Sequence, residues 1–355
     1  MKTLKELCIP RSSIFDRSRQ DTVLDLTDLI EDKIDAADFF AENYLTDGMK
    51  RLLRESFRRF EDVSSQGVFV LTQAMGGGKT HNMIALGLLA KHPHLRSQVM
   101  GDFYQSNKSD VVRVVAFTGR ESDTPLGLWG SIAEQLGKKE QFSQYYSPLS
   151  APGQTAWVKL LQGEPLLILL DELPPYLENA KSKEIGNSDL AQVTSTALAN
   201  LLTAVAKEDL ANVCVVISDL KATYEGGSEQ INKTLENLKG EVGRSAITLE
   251  PVALNTDELY HILRKRLFEQ LPDESEIIEV ARAYSKAVSD AKQMDITNAS
   301  PDKFTAQLKD SYPFHFAIRD LYARFRENPG FQQTRGLIRL MRVVVSRLFD
   351  EQQGK

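Results

Sequence analysis

Gln73-Ala74-Met75-Gly76-Gly77-Gly78-Lys79-Thr80 sets three consecutive glycines ahead of a lysine and a threonine. Glycines let backbone N–H groups converge on an anion, while a lysine and a hydroxyl beside them can serve phosphate oxygens and a divalent cation. The flanking residues suit that chemistry. Gly67–Thr72 reads as a buried strand and His81–Ala90 as a helix with an apolar face. A helix starting at the loop adds the positive end of its dipole. Strand, glycine-rich turn ending in Lys-Thr, then helix is the context a P-loop requires. In this reading Ala74, Met75, Gly76, Gly77, Gly78, Lys79, Thr80 and His81 cradle ATP. Lys79 reaches the β- and γ-phosphates, and Thr80 ligates Mg2+. The general pattern, G-x-x-x-x-G-K-[ST], has glycine where Gln73 stands. The loop must therefore leave its strand along a path open to an L-residue. The rival reading is an ordinary glycine-rich turn, with His81 as helix-surface filler.

A second acidic element completes the chemistry. Leu166-Leu167-Ile168-Leu169-Leu170 is the strongest strand in the chain, and it ends in Asp171-Glu172. Parallel strands point their carboxyl ends to one edge, so this pair belongs beside the glycine loop. Its form is that of a Walker B pair: Asp171 for Mg2+, Glu172 as the general base that polarises the attacking water. Ser218 and Asp219 close Val213–Ile217, a strand expected beside both of the others. A polar group there could sense the γ-phosphate, although strand ends are often polar anyway. Thr118, after Val111–Phe117, could restrain Glu172, with a plain polar strand end as the simpler reading.

Positioning these residues takes a parallel sheet. Buried strands at 67–72, 111–117, 166–170, 213–217 and 245–249 alternate with helical segments, which predicts an α/β core covered on both faces. Beyond Pro251 the pattern is all-helical, with candidates at 256–268, 274–291, 301–311, 316–326 and 334–349. The resulting division is an acidic lead-in with buttressing helices over 1–65, a nucleotide-binding core over 66–250 and a helical lid over 251–355. Lys181–Ser188 reads as a polar loop.

Composition bounds the alternatives. Hydrophobic residues at 42% and charged residues at 26% fit a globular protein. No apolar run approaches the roughly 20 residues of a membrane span. The first residues are too short and too charged for a signal peptide, and two cysteines make no disulfide framework, so a cytoplasmic setting is expected. The net charge of −6 gives no global field for nucleic acid. Two local basic stretches, Lys50 to Arg59 and Arg319 to Arg347, are solvated faces in the plainer reading.

Taken together, the loop, the acidic pair, the polar strand end and the helical C-terminal part resemble an AAA+ ATPase. That resemblance implies a P-loop NTPase core with a helical lid, bound ATP and Mg2+, and a homo-oligomer with shared ATP sites. Arg244 matches the placement of the arginine finger that acts on a neighbour's ATP; an ordinary surface arginine is the alternative. Arg335 resembles the sensor 2 arginine, with Arg339 as its rival and Arg342 on the same face. Cys8-Ile9-Pro10-Arg11, Asn43–Lys50, Leu71–His81 and Tyr312-Pro313-Phe314-His315 are similar to a poorly characterised group of prokaryotic ATP-binding proteins. Those proteins sit beside methyltransferases and helicases in phage-defence cassettes, which implies DNA or a partner protein as target. Phe316 departs from the proline expected there. Members are often much longer, so an N-terminal portion and a short relative both fit.

The leading expectation is a Mg-dependent, ATP-hydrolysing switch or motor. A nucleotide-binding scaffold with little turnover is the alternative, motivated by Gln73. A kinase would not need the carboxylate beside Asp171, and a helicase would need a second core.

Overall fold

The computed structural model describes residues 2–16, 24–73, 76–120, 124–219, 225–242, 246–252, 257–294, 299–325, 328, 331 and 333–350. They form two compact units, one of residues 24–40 with 45–252 and one of residues 1–23 and 41–44 with 253–355.

The larger unit is built on five parallel strands: β1 (Val68–Thr72), β2 (Arg113–Thr118), β3 (Leu166–Asp171), β4 (Val213–Asp219) and β5 (Ile247–Leu249). Their order across the sheet is β2-β3-β4-β1-β5, so β4 lies beside both β1 and β3, as the sequence reading requires. The register sets Thr72 opposite Asp219 and Thr118 opposite Asp171, bringing the polar strand ends to one edge.

β1, β3 and β4 are near-continuous apolar runs because both of their faces are buried, whereas the edge strands β2 and β5 are buried only in part. Helices α1 (Asp47–Phe60), α2 (Lys79–Lys91), α3 (Gly127–Gln135), α4 (Gln154–Leu161), α5 (Leu173–Ala180), α6 (Leu190–Val205) and α7 (Glu225–Val242) supply the cover. Phe69, Leu71, Leu167, Leu169, Cys214 and Val216 pack with α1 and α2. The alternate residues, including Val68, Ile168, Leu170, Val215 and Ile217, pack with α3 to α6. The alternation is the two-residue period of a strand expressed as two cores.

Helix α1 buries Met49, Leu52, Leu53, Phe57 and Phe60 at helical spacing. Thr46 caps it, accepting from Met49 N at 3.2 Å and donating to Pro251 O at 2.5 Å. The basic face expected on this helix does not include Arg59, which is only 2% exposed. Its guanidinium donates to Val205 O and Leu210 O at 2.7 Å and to Val213 O at 3.1 Å. Gly67 leaves it room, since a Cβ there would lie 3.0 Å from Arg59 Nε. Arg59 thus fixes the start of β4 to α1, and several buried carbonyls depend on it. Arg59→Met is expected to lower unfolding free energy by about 3 kcal/mol, read from denaturant midpoints at unchanged slope.

Helix α5 and a small hairpin are among the elements that the sequence reading did not give. Helix α5 begins with Leu173-Pro174-Pro175, and proline in a first helical turn sacrifices no hydrogen bond. Within 181–188 the backbone makes a small hairpin, Glu184–Ile185 with Ser188–Asp189.

The second unit is helical: α8 (Glu258–Leu267), α9 (Glu274–Gln293), α10 (Pro301–Ser311), α11 (Ala317–Phe325) and α12 (Gln333–Phe349). Ile9–Pro10 pairs antiparallel with Phe268–Gln270, and Leu7, Cys8 and Ile14 join its core with Tyr312, Phe314, Leu337 and Met341. Among the described residues no helix is long and apolar enough to cross a membrane.

Candidate functional site

The site lies at the carboxyl edge of the sheet, where β1 passes into a glycine turn and α2. Gly76 and Gly78 hold φ of +80° and +90°, values an L-residue adopts only under strain. Gly78 is the residue before the first turn of α2, so the free N–H groups of that turn open toward the loop. Gln73 has no positive φ, so the chain leaves β1 along an ordinary path and the missing glycine imposes no strain. Ala74 and Met75 lie outside the described residues.

Lys79 begins α2 and is only 6% exposed. Its Nζ donates to Gln73 O. Burial pushes its pKa from 10.5 down to about 8, against the opposing pull of the Asp171, Asp219 and Glu172 charges. Lys79 is thus a buried ammonium that the charges of Asp171, Asp219 and Glu172 stabilise and that bonds to one carbonyl.

Thr80 Oγ1 donates to Asp171 Oδ2 at 2.5 Å, joining the glycine turn to the end of β3. Ser218, at the end of β4, donates to Asp171 Oδ1. Its Oγ also accepts from Glu172 N at 3.0 Å, and Asp171 Oδ1 accepts from the same N–H at 2.9 Å. Ser218, expected as a sensor, is bonded to both members of the Asp171-Glu172 pair. Asp219 accepts from Ser228 Oγ at 2.6 Å, which ties it to α7.

Glu172 stands in the left-handed region at φ 53°, immediately before α5. The conformation turns the chain sharply out of β3, and its neighbours determine it. Gly119 N donates to Asp171 O at 3.0 Å. A Cβ on Gly119 would lie 2.2 Å from Glu172 O, so only glycine fits there. Arg120, the next residue, places Nε 3.4 Å from Glu172 Oε2. The sequence offers Thr118 as a candidate restraint on Glu172, with a plain polar strand end as the simpler reading; the ion pair to Glu172 comes from Arg120, two residues on, which no local spacing reveals.

Further candidates are His81, Arg244 and the arginines of α12. His81 packs its ring 4.6 Å from that of Phe39. Arg244 lies outside the described residues. Arg335 and Arg339 lie on α12 in the second unit, where Arg342 donates to Ser13 O at 2.5 Å and to Asp16 O at 3.2 Å.

The donor set can be tested against a metal. Among the described residues no three His, Cys, Asp or Glu form a cluster fit to hold one. Thr80 and Asp171 instead bring a hydroxyl and a carboxylate oxygen to one point. Hard oxygen donors in that number suit Mg2+, which takes one or two protein ligands and completes its shell with phosphates and water.

No curated protein matches the chain. Two family models do: the DUF499 N-terminal domain over residues 10–246, which spans the loop, the acidic pair and β4, and the DUF499 second domain over residues 254–355. The chain therefore belongs to the DUF499 family.

Proposed function

We propose that the chain binds and hydrolyses ATP as a Mg-dependent switch or motor of the AAA+ type. One observation carries the reading: Thr80 at the start of α2 meets Asp171 at the end of β3, beside a buried Lys79 that several carboxylates and one carbonyl oppose. A structural ion pair would give Lys79 one close carboxylate, whereas a triphosphate site needs the ammonium, the hydroxyl and the carboxylate arrayed around a shared space. The strand order supports the same reading, because β1 lies between β4 and β5, so the loop that follows it leaves the carboxyl edge beside the end of β4.

In this proposal the N–H groups of the turn and of the first turn of α2 bind phosphate oxygens, with Lys79 on the β- and γ-phosphates. Thr80 and Asp171 would hold Mg2+, which when bound would supply positive charge at the phosphates. Glu172 takes a proton from the attacking water, while Asp171 and Ser218 hold its backbone in place. Arg244 from a second copy would add charge to the transition state, making the homo-oligomer the working form. A cytoplasmic setting, a role in phage defence, and DNA or a partner protein as target rest on the family resemblance alone.

A scaffold with little turnover is the second reading, and Arg120 favours it. A guanidinium on the Glu172 carboxylate withdraws the base from water. Phosphate release measured against protein concentration decides between them. Release that needs Mg2+, rises per chain with concentration and falls in Arg244→Ala supports shared-site hydrolysis. Bound ATP with no release at any concentration sinks it.

A further inference from the structure

We propose that Gln73 is a positioning residue for the phosphate loop, holding the loop through its side-chain amide against the segment that leaves β5. The inference rests on the ATP-site reading above. Its first support is a two-way amide pair. Gln73 Nε2 donates to Val252 O at 3.1 Å, and Val252 N donates to Gln73 Oε1 at 3.2 Å. A two-way exchange with a single residue is the bonding of an antiparallel pair, made here by a side chain. Parallel pairing of β1 with β5 stops at Leu71 opposite Leu249, and the Gln73 amide links the two segments beyond the strand ends.

The second support is the stem of the same side chain. A Cβ on Gly77 would lie 2.5 Å from Gln73 Cγ and 2.7 Å from Cδ. The middle glycine of the loop is therefore required by Gln73, apart from any phosphate. Third, the Gln73 carbonyl accepts from Lys79 Nζ. One residue thus touches the middle of the loop, its lysine and the exit of β5. A glycine at position 73 could offer only the carbonyl.

The anchor is itself fixed. Thr46 Oγ1 donates to Pro251 O at 2.5 Å, and a Cβ on Gly48 would lie 2.0 Å from Glu250 O. The start of α1 therefore packs tightly on residues 250–251, and Val252 is 7% exposed. Gln73 ties the loop to a part of the core that is already ordered. A loop ordered before the phosphates arrive loses less entropy on binding them, so the clamp acts on affinity rather than on the chemical step.

Gln73→Met tests this, because it keeps an unbranched stem against Gly77 and deletes both hydrogen bonds. Amide exchange in the nucleotide-free protein reads the clamp directly: the Val252 N–H should exchange faster in Gln73→Met, with core amides of β3 and β4 unchanged as the check on folding. Affinity for Mg2+ with a non-hydrolysable ATP analogue should fall about tenfold, the loss of two modest hydrogen bonds. KM should rise by a similar factor, with kcat changed less than about twofold. Gln73→Gly, which restores the general pattern, should lose affinity at least as far. Equal Val252 exchange in wild type and Gln73→Met overturns the proposal, as does unchanged affinity and KM in both variants. A wild-type chain that takes up no nucleotide overturns the ATP-site reading and the positioning role with it, and that control separates this result from failure of the proposal alone.

Discussion

Glu172→Gln should bind Mg·ATP as tightly as the wild type and release phosphate at about one-thousandth of its rate, the scale of losing a positioned general base. The backbone is the reason to expect intact binding. Glu172 is held by its N–H on Asp171 and Ser218 and by its carbonyl against Gly119. The substitution alters none of these contacts. Lys79 is bonded to the Gln73 carbonyl and Thr80 to Asp171, so the groups that serve the phosphates and the cation in the proposal keep these bonds in the variant, while the Glu172 carboxylate lies 3.4 Å from Arg120 Nε. Glutamine fills the same space, cannot take a proton from water and loses the attraction to Arg120. Single-turnover measurement with bound ATP separates the chemical step from product release. Normal turnover in this variant would remove Glu172 from the mechanism.

Much of the core was legible because buried parallel strands must be apolar throughout. The central strands appear as apolar runs such as Leu166–Leu170 and Val213–Ile217, and all five strands lie within two residues of their expected bounds. The edge that carries the site followed from strand direction alone. Contacts between distant segments were not legible. Arg120 and Glu172 are joined only because β2 and β3 pair in a register that no local pattern states. Arg59 looked like part of a charged face because a helix wheel cannot show which carbonyls end beside it. Gln73 looked like a defect for a similar reason: its partner, Val252, stands far along the chain. The lead-in at Leu4–Phe15 has too few apolar residues for a core of its own. Its place beside α8 and α12 depends on surfaces that the local sequence does not describe.

Lys79→Ala should weaken Mg·ATP binding more than about a hundredfold, since the phosphates lose a charge-assisted partner in a site sheltered from water. Thermal unfolding of the nucleotide-free variant tells that loss from misfolding, a needed control because removing the ammonium takes its charge away from the buried Asp171 and Asp219 carboxylates. The wild type carries a pH signature that Lys79→Ala should lack. Burial sets the Lys79 pKa near 8 in the folded chain against 10.5 when unfolded. Between those values the unfolded chain binds more protons, so the nucleotide-free protein gains stability as pH rises through that window. Binding runs the other way. Phosphate charge favours the ammonium and raises its pKa, so above pH 8 a proton must be taken up with each nucleotide. Affinity should then fall by about tenfold per pH unit. Calorimetry in buffers of different ionisation enthalpy reads that proton directly. Proton uptake at pH 9 that persists in Lys79→Met would assign the titration to another group and detach Lys79 from the phosphates.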